Sequence, residues 1–264
     1  MIKNVKISIL VLTCAILLVL NGCAQNKANP EVQAAAPKQT LTVGSTPTGP
    51  PFTFLNPATN QIEGIMVDVA QQIGKKLNAD IKIEGIQFAS LIPSLQGKKV
   101  DLIAASMFIT EERKQAIDFS DPVLYLGEGL IVREGDNQTK TLEQLKDKVV
   151  GVQIGGAYHE MMEKNGNYKE LKTYKAVGDM LTDLDNKRLD AVIADQPLLV
   201  YLKNQNPKYK IQVVDEYKPQ ITGPLGLGVA KDNPELLKKV NEVIKELQSN
   251  GTLKEIEKKW GVSK

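Results

Sequence analysis

Short apolar, β-prone runs alternate with helical patterns along this chain, and the alternation occurs twice, which restricts the fold to the α/β class. In the first copy Leu41 to Gly44 precedes a helical pattern over Val67 to Leu77. Ile81 to Ile86 then leads to a helix from Ser90, and Val100 to Ala105 to a helix from Thr110. The second copy starts at Val149 to Val152 and passes Gly155 and Gly156 into a helix from Ala157. It continues with Thr173 to Ala176, a helix over Gly178 to Leu184, the strand Asp190 to Ala194 and a helix opened by Pro197. Gly127 to Arg133 links the copies, and Tyr217 to Gly228 follows the second. Pro234 to Gln248 is helical, and a last helix ends near Trp260, with Leu253, Ile256 and Trp260 at packing positions. Residue patterns alone therefore predict two α/β modules of about 90 to 130 residues each.

The N-terminal segment is read differently. Met1 to Gly22 holds Lys3 and Lys6, then an apolar-dominated run of 14 residues from Ile7 to Leu20, then Asn21, Gly22 and Cys23. A membrane span needs about 20 residues. The pattern predicts a secretory signal over 1–22 that ends in a lipobox, with Cys23 as the lipid-bearing residue and Asn21 where a smaller side chain is usual. Acyl chains on Cys23 would anchor the protein to a membrane face. Ala24 to Gln39 lacks apolar periodicity and is expected to be a flexible tether. Cleavage before Cys23 removes two lysines, so 33 basic and 31 acidic residues become 31 and 31 in a mature chain of 242. A neutral body without a charge run points away from nucleic acid and other polyanions. Of two cysteines, Cys14 leaves with the signal and Cys23 carries lipid, so no disulfide or thiolate metal cluster is expected. His159 is the single histidine and reads as a solvated residue, and neither metal nor cofactor is expected.

One segment points to chemistry. In Val100 to Pro122 a short strand precedes Thr110, a good N-cap, then Glu111, Glu112 and Arg113. A cation in a first helical turn opposes the macrodipole, so Arg113 calls for an anion in front of the helix, or else pairs at the surface with Glu112 or Asp118. Arginine's planar fork matches a carboxylate. Asp195 ends the second-copy strand ahead of Pro197, where it is either an N-cap or a partner for a cation.

The SMFITEER segment from Ser106 to Arg113, followed by DFSDP from Asp118 to Pro122, resembles the polar amino-acid family of solute-binding proteins that feed ATP-driven (ABC) importers, bacterial extracellular family 3, of the lipoprotein type. The resemblance extends through Gly44 to Phe52, Gly64 to Asp68, Phe88 to Leu95, Val150 to Gly156, Arg188 to Asp195 and Gly251 to Trp260. It implies a two-lobed periplasmic-binding-protein fold (type II), each lobe a mixed sheet flanked by helices, joined by two crossing hinge segments. Lobe 1 would take 40–128 and 218–264, lobe 2 would take 129–217, and 23–39 would be the lipidated N-terminus and tether.

The resemblance also implies roles. Arg113 would hold a ligand carboxylate and Asp195 its ammonium, from opposite lobes. Ser106 would accept from the ammonium, Phe88 would form an aromatic wall, and Gly156 and Ala157 would offer backbone amides, with Gln153 at the end of the preceding strand. Thr46 stands where binders of basic ligands and glutamine carry an acid, Gly49 replaces an aromatic lid, and Phe108 replaces a hydroxyl residue. These departures favour a neutral amino acid over a basic one, since a buried cation without an acid is costly, and leave room for a neutral or bulkier ligand. Pro50, Pro51 and Phe52 brace their loop.

The implied protein is a monomer outside the cytoplasmic membrane, periplasmic or on the outer face, that serves a permease. Two rival functions use the same scaffold. A cyclohexadienyl-dehydratase-like enzyme would need a glutamate where His159 stands, with Glu160 beside it. A ligand sensor would need a signalling partner.

Overall fold

The computed structural model describes residues 38–262; the signal, Cys23 and most of the tether lie outside them. First in order come β1 (Gln39–Ser45), a small antiparallel sheet of β2 (Thr48–Gly49), β3 (Thr53–Asn56) and β4 (Gln61–Glu63), then α1 (Ile65–Leu77) and β5 (Ala79–Gly85). Next are α2 (Leu91–Gln96), β6 (Leu102–Ile103), α3 (Glu111–Ala116), β7 (Asp118–Phe119) and the long β8 (Leu124–Arg133). The second half holds β9 (Val149–Gln153), α4 (Ala157–Asn165), β10 (Glu170–Tyr174), α5 (Val177–Asp185), β11 (Ala191–Asp195), α6 (Gln196–Gln205) and β12 (Ile211–Val213). The chain ends with β13 (Thr222–Leu225), β14 (Gly228–Val229), α7 (Pro234–Ser249) and α8 (Thr252–Lys259).

Two mixed sheets organise these elements into two lobes. In the first, ordered β5-β1-β6-β14-β7, β1 runs parallel to β5 and β6, and β14 is antiparallel to both its neighbours. In the second, ordered β10-β9-β11-β8-β12, β9 runs parallel to β10 and β11, and β8 lies antiparallel to β11 and β12. Leu124–Gly127 of β8 pairs with β13, whereas Glu128–Val132 pairs with β11. Strands β8 and β13 are thus the two crossings between lobes.

A buried carboxylate ties these crossings together. Glu128 is fully buried and accepts from Tyr217 Oη at 2.9 Å, from Ile221 N at 3.0 Å and from the Gln220 amide.

The sequence explains each layer. All five β11 residues are buried, and each fully buried Val or Ile contributes about 1.5–3 kcal/mol. Helix α1 buries Ile65, Met66, Val69, Ala70 and Ile73 on one face and stops at Asn78 in the left-handed region. Asn233 caps α7, accepting from Leu236 N at 3.2 Å, and Leu236, Val240, Val243, Ile244 and Leu247 are buried at helical spacing. Helices α7 and α8 pack on α1, which places the tail with the first sheet.

Two strands differ from the pattern reading. The run Val100 to Ala105 forms ladder pairs only at Leu102 and Ile103, although Val100, Ala104 and Ala105 are buried too. Burial makes the whole run look like strand, while β1 and β14 can pair only its middle. The predicted strand Thr173 to Ala176 lies earlier, at Glu170–Tyr174, because its parallel register with Val149–Gln153 sets its position.

Candidate ligand-binding cleft

The carboxyl ends of the parallel strands β1, β6, β9 and β11 deliver Thr46, Ser106, Gln153 and Asp195 to one cavity, as expected for open α/β sheets. Gly49, Phe88, Phe108, Arg113, Gly156 and Ala157 complete the set of ten predicted residues, all of which line this cavity. Tyr158, Val177, Ile193, Ala194 and Leu198 line it as well. Among the described lining residues, Arg113 and Asp195 are the ionisable pair of opposite charge, one from each lobe. The enclosed space is about 30 Å³, room for one or two water-sized groups.

Arg113 is 6% exposed, which rules out a surface pair. Asp118 is taken by Lys231 at 3.1 Å. Thr110 Oγ1 caps α3 by accepting from Arg113 N at 3.2 Å, and this turns the side chain into the cleft. Its Nη1 donates to Phe108 O and its Nη2 crosses to Gly155 O, each at 3.1 Å. The guanidinium carbon sits 5.6 Å from the Phe88 ring centre, and Glu160 Oε1 lies 4.0 Å from Nη2. Burial lowers the guanidinium pKa and the Glu160 and Glu112 charges oppose that, yet arginine stays charged.

Gly155 is a glycine for two reasons. Its φ of +73° suits a residue without Cβ, and a Cβ there would approach Ala89 of the first lobe to 3.1 Å. The seam between lobes is therefore tight where Arg113 crosses it.

Asp195 occupies the N-cap position of α6 but makes no capping hydrogen bond. Its Oδ1 accepts instead from Tyr158 Oη at 2.7 Å. Burial pushes the carboxyl up to about 6, while the Tyr158 and Ser106 hydroxyls favour its charged form. Burial and the Asp195 charge push the Tyr158 hydroxyl far above its usual range, so it remains a donor. A cation beside Asp195 would relieve a carboxylate that otherwise has only neutral partners.

The specificity positions are apolar or self-satisfied. Thr46 Oγ1 pairs with Thr53 Oγ1 at 2.7 Å. Leu198 Cδ1 lies 3.9 Å from where a Cβ at Gly49 would stand. Gln153 Nε2 donates to Lys175 O at 3.2 Å, and Phe108 packs edge-on against Tyr158 with ring centres 5.6 Å apart. Phe52 is fully buried and stands outside the lining, consistent with a bracing role.

His159 differs from expectation. Its side chain is 19% exposed, half-buried where composition alone reads it as solvated, and Nε2 lies 3.6 Å from Glu163 one turn on. Leu253 and Ile256 are buried, and Trp260 Nε1 donates to Asp68 Oδ2 at 2.8 Å. No group of three or more His, Cys, Asp or Glu side chains among the described residues is placed to hold a metal.

Two α/β lobes on paired crossing strands, closing over a cavity with a fixed cation and a fixed anion, define a binding protein for a small polar solute. The chain belongs to the bacterial extracellular solute-binding proteins, family 3, whose profile matches residues 41–263. It is 32% identical over 222 residues to the L-cystine-binding protein TcyJ of Escherichia coli (strain K12), covering 84% of this chain and 82% of that protein. It is 30% identical over 254 residues to the arginine-binding extracellular protein ArtP of Bacillus subtilis (strain 168), covering 96% of each. Among solved structures, an ancestral arginine-binding protein bound to glutamine superposes with a TM-score of 0.80 at 35% identity, covering 86% of this chain and all of that one.

Proposed function

We propose that this protein captures an amino acid, neutral in preference to basic, between its lobes and passes it to an ABC permease without chemical change. One observation carries the reading: Arg113 and Asp195 come from opposite lobes into one cavity whose other lining residues are uncharged. A zwitterion satisfies both charges at once only when the lobes meet, so ligand and closure favour each other. The enclosed 30 Å³ is smaller than an amino acid, so entry and accommodation require the lobes to part about β8 and β13. The change of partner along β8 at Gly127 and Glu128 supports the lobe boundaries 40–128 with 218–264, and 129–217.

Thr46, Gly49, Phe108 and Leu198 surround the cavity with neutral surface, which disfavours the buried charge of a lysine or arginine side chain. An enzyme would need a general acid poised in the cleft. Asp195 is raised, but burial without a cation is the cause, and a bound ammonium would lower it again. Glu160, the displaced candidate acid, lies outside the lining of this cavity. The signal over 1–22, lipidation at Cys23, a membrane anchor facing outward and a monomeric state belong to the same reading.

Calorimetry of the mature protein across the common amino acids tests it. Binding of at least one neutral amino acid at micromolar Kd or tighter is expected, with no turnover by mass spectrometry. Heat with none of them would defeat the reading. Arg113→Ala should weaken that binding at least about thirtyfold while the circular dichroism spectrum is unchanged, since loss of one partner from a buried charge pair costs about 2–5 kcal/mol. Near-normal affinity would show the carboxylate site to be elsewhere.

A further inference from the structure

On the hinge side of the cleft lies a second groove of about 710 Å³, and its lining shares Phe108 and Ala157 with the ligand cavity. We infer that the Phe108 ring is a partition between the two spaces and sets the upper limit on ligand size, an inference that rests on the amino-acid reading of the cleft.

The ring is held on both sides. Toward the cavity it packs edge-on to Tyr158, at 5.6 Å between centres. Toward the hinge it faces Gly223 on β13, where a Cβ would come within 3.2 Å of the ring. Glycine at 223 is what leaves room for the ring beside the crossing strand. Its backbone is fixed as well: Phe108 O accepts from Arg113 Nη1, and Phe108 bridges to Leu225. The ring is 5% exposed although two hollows meet at it, so it fills the passage between them.

The groove differs from the cavity in charge. Glu111, Glu112 and Glu160 line it against one lysine, Lys164, whereas the cavity balances one cation with one anion. Opening the partition would therefore join a neutral site to a longer, acid-biased one. The ligands gained should be longer, and cationic tails should gain most.

The test is calorimetry on wild type, Phe108→Ala, Phe108→Leu and Gly223→Ala. The probes are alanine, norvaline, lysine and arginine, which lengthen from the α-carbon, and glycyl dipeptides, which lengthen through the backbone. Phe108→Ala should improve affinity for the longest probes relative to alanine at least tenfold, in either series, with arginine above norvaline. Phe108→Leu, which keeps most of the wall, should leave the order unchanged. Gly223→Ala pushes the ring toward the cavity and should weaken the largest ligand that wild type accepts. Adding Glu160→Gln to Phe108→Ala should reduce the arginine gain and keep the norvaline gain.

If Phe108→Ala does not fold, the Gly223→Ala result decides alone, and an unchanged size order there overturns the inference. An unchanged size order in folded Phe108→Ala overturns it as well. Failure of wild type to bind any amino acid would defeat the functional reading instead, so the two failures are distinguishable.

Discussion

Asp195 should make ligand binding and stability respond in opposite directions to one substitution. Its carboxyl is buried in the closed cleft, and burial pushes it up to about 6 from an ordinary 3.8. A rise of about 2 units at about 1.36 kcal/mol per unit corresponds to about 3 kcal/mol. Because the folded pKa lies above the unfolded one, the protonated carboxyl favours the fold. That contribution is fully present below about pH 4 and is lost as pH rises through about 6. At pH 7.5 the wild type therefore carries the whole cost of a buried, unpaired carboxylate.

Asp195→Asn removes the charge and keeps an oxygen for the Tyr158 hydroxyl. The variant should match wild type near pH 4 and exceed it at pH 7.5 by up to about 3 kcal/mol. Opening of the lobes rehydrates Asp195, which makes this figure a ceiling. At about 2–4 °C per kcal/mol for a chain of this size, the largest Tm gain is about 6–12 °C. The assay is thermal unfolding of both ligand-free proteins from pH 4 to 8. The same variant should lose amino-acid binding, and wild-type affinity should fall as pH drops through about 6, because protonation removes the counter-charge of the ammonium. A variant less stable than wild type at pH 7.5, or a difference independent of pH, would refute the reasoning.

Glu128→Ala would strand the buried Tyr217 hydroxyl and remove the acceptor of the Gln220 and Ile221 amides, which lie nearer solvent. A loss of about 1–3 kcal/mol is expected in urea unfolding, and a loss under 1 would mean that water replaces the carboxylate. Phe54 links the lobes to the single tryptophan: its ring centre is 6.0 Å from Tyr201 of the second lobe and 5.6 Å from Trp260 of the first. Ligand-driven closure should change Trp260 fluorescence in stopped flow, and Phe54→Ala should remove the change while calorimetric binding persists.

Much of the layout was legible because local chemistry and global fold agree. A continuous apolar run marks β11 and a helical apolar pattern marks α7, and Thr110, Pro197 and Gly155 mark turns with a steric or hydrogen-bonding reason. The cation of the cleft was legible through the Ser106 to Arg113 segment and not through the helix dipole, because α3 is only six residues long and Arg113 stands in its last turn as well as its first. Tyr158 was not. One residue into α4 it reads as an ordinary helical position, and only the approach of β11 brings its hydroxyl to Asp195. Val177, Ile193 and Leu198 were hidden likewise, because a residue that lines a cavity has the same apolar character as one that fills a core. The length of β6 and the register of β10 depend on partners distant in sequence, which periodicity does not encode.

The most direct measurement compares the best amino-acid ligand with two relatives that each lack one charge, its carboxamide and its N-acetyl derivative, by calorimetry at pH 7.5. The account predicts that each loses at least a hundredfold in affinity. It also predicts that Arg113→Ala no longer distinguishes acid from amide, and that Asp195→Asn no longer distinguishes amine from N-acetyl amine. Equal affinity for all three compounds, or discrimination that survives in those variants, would contradict it.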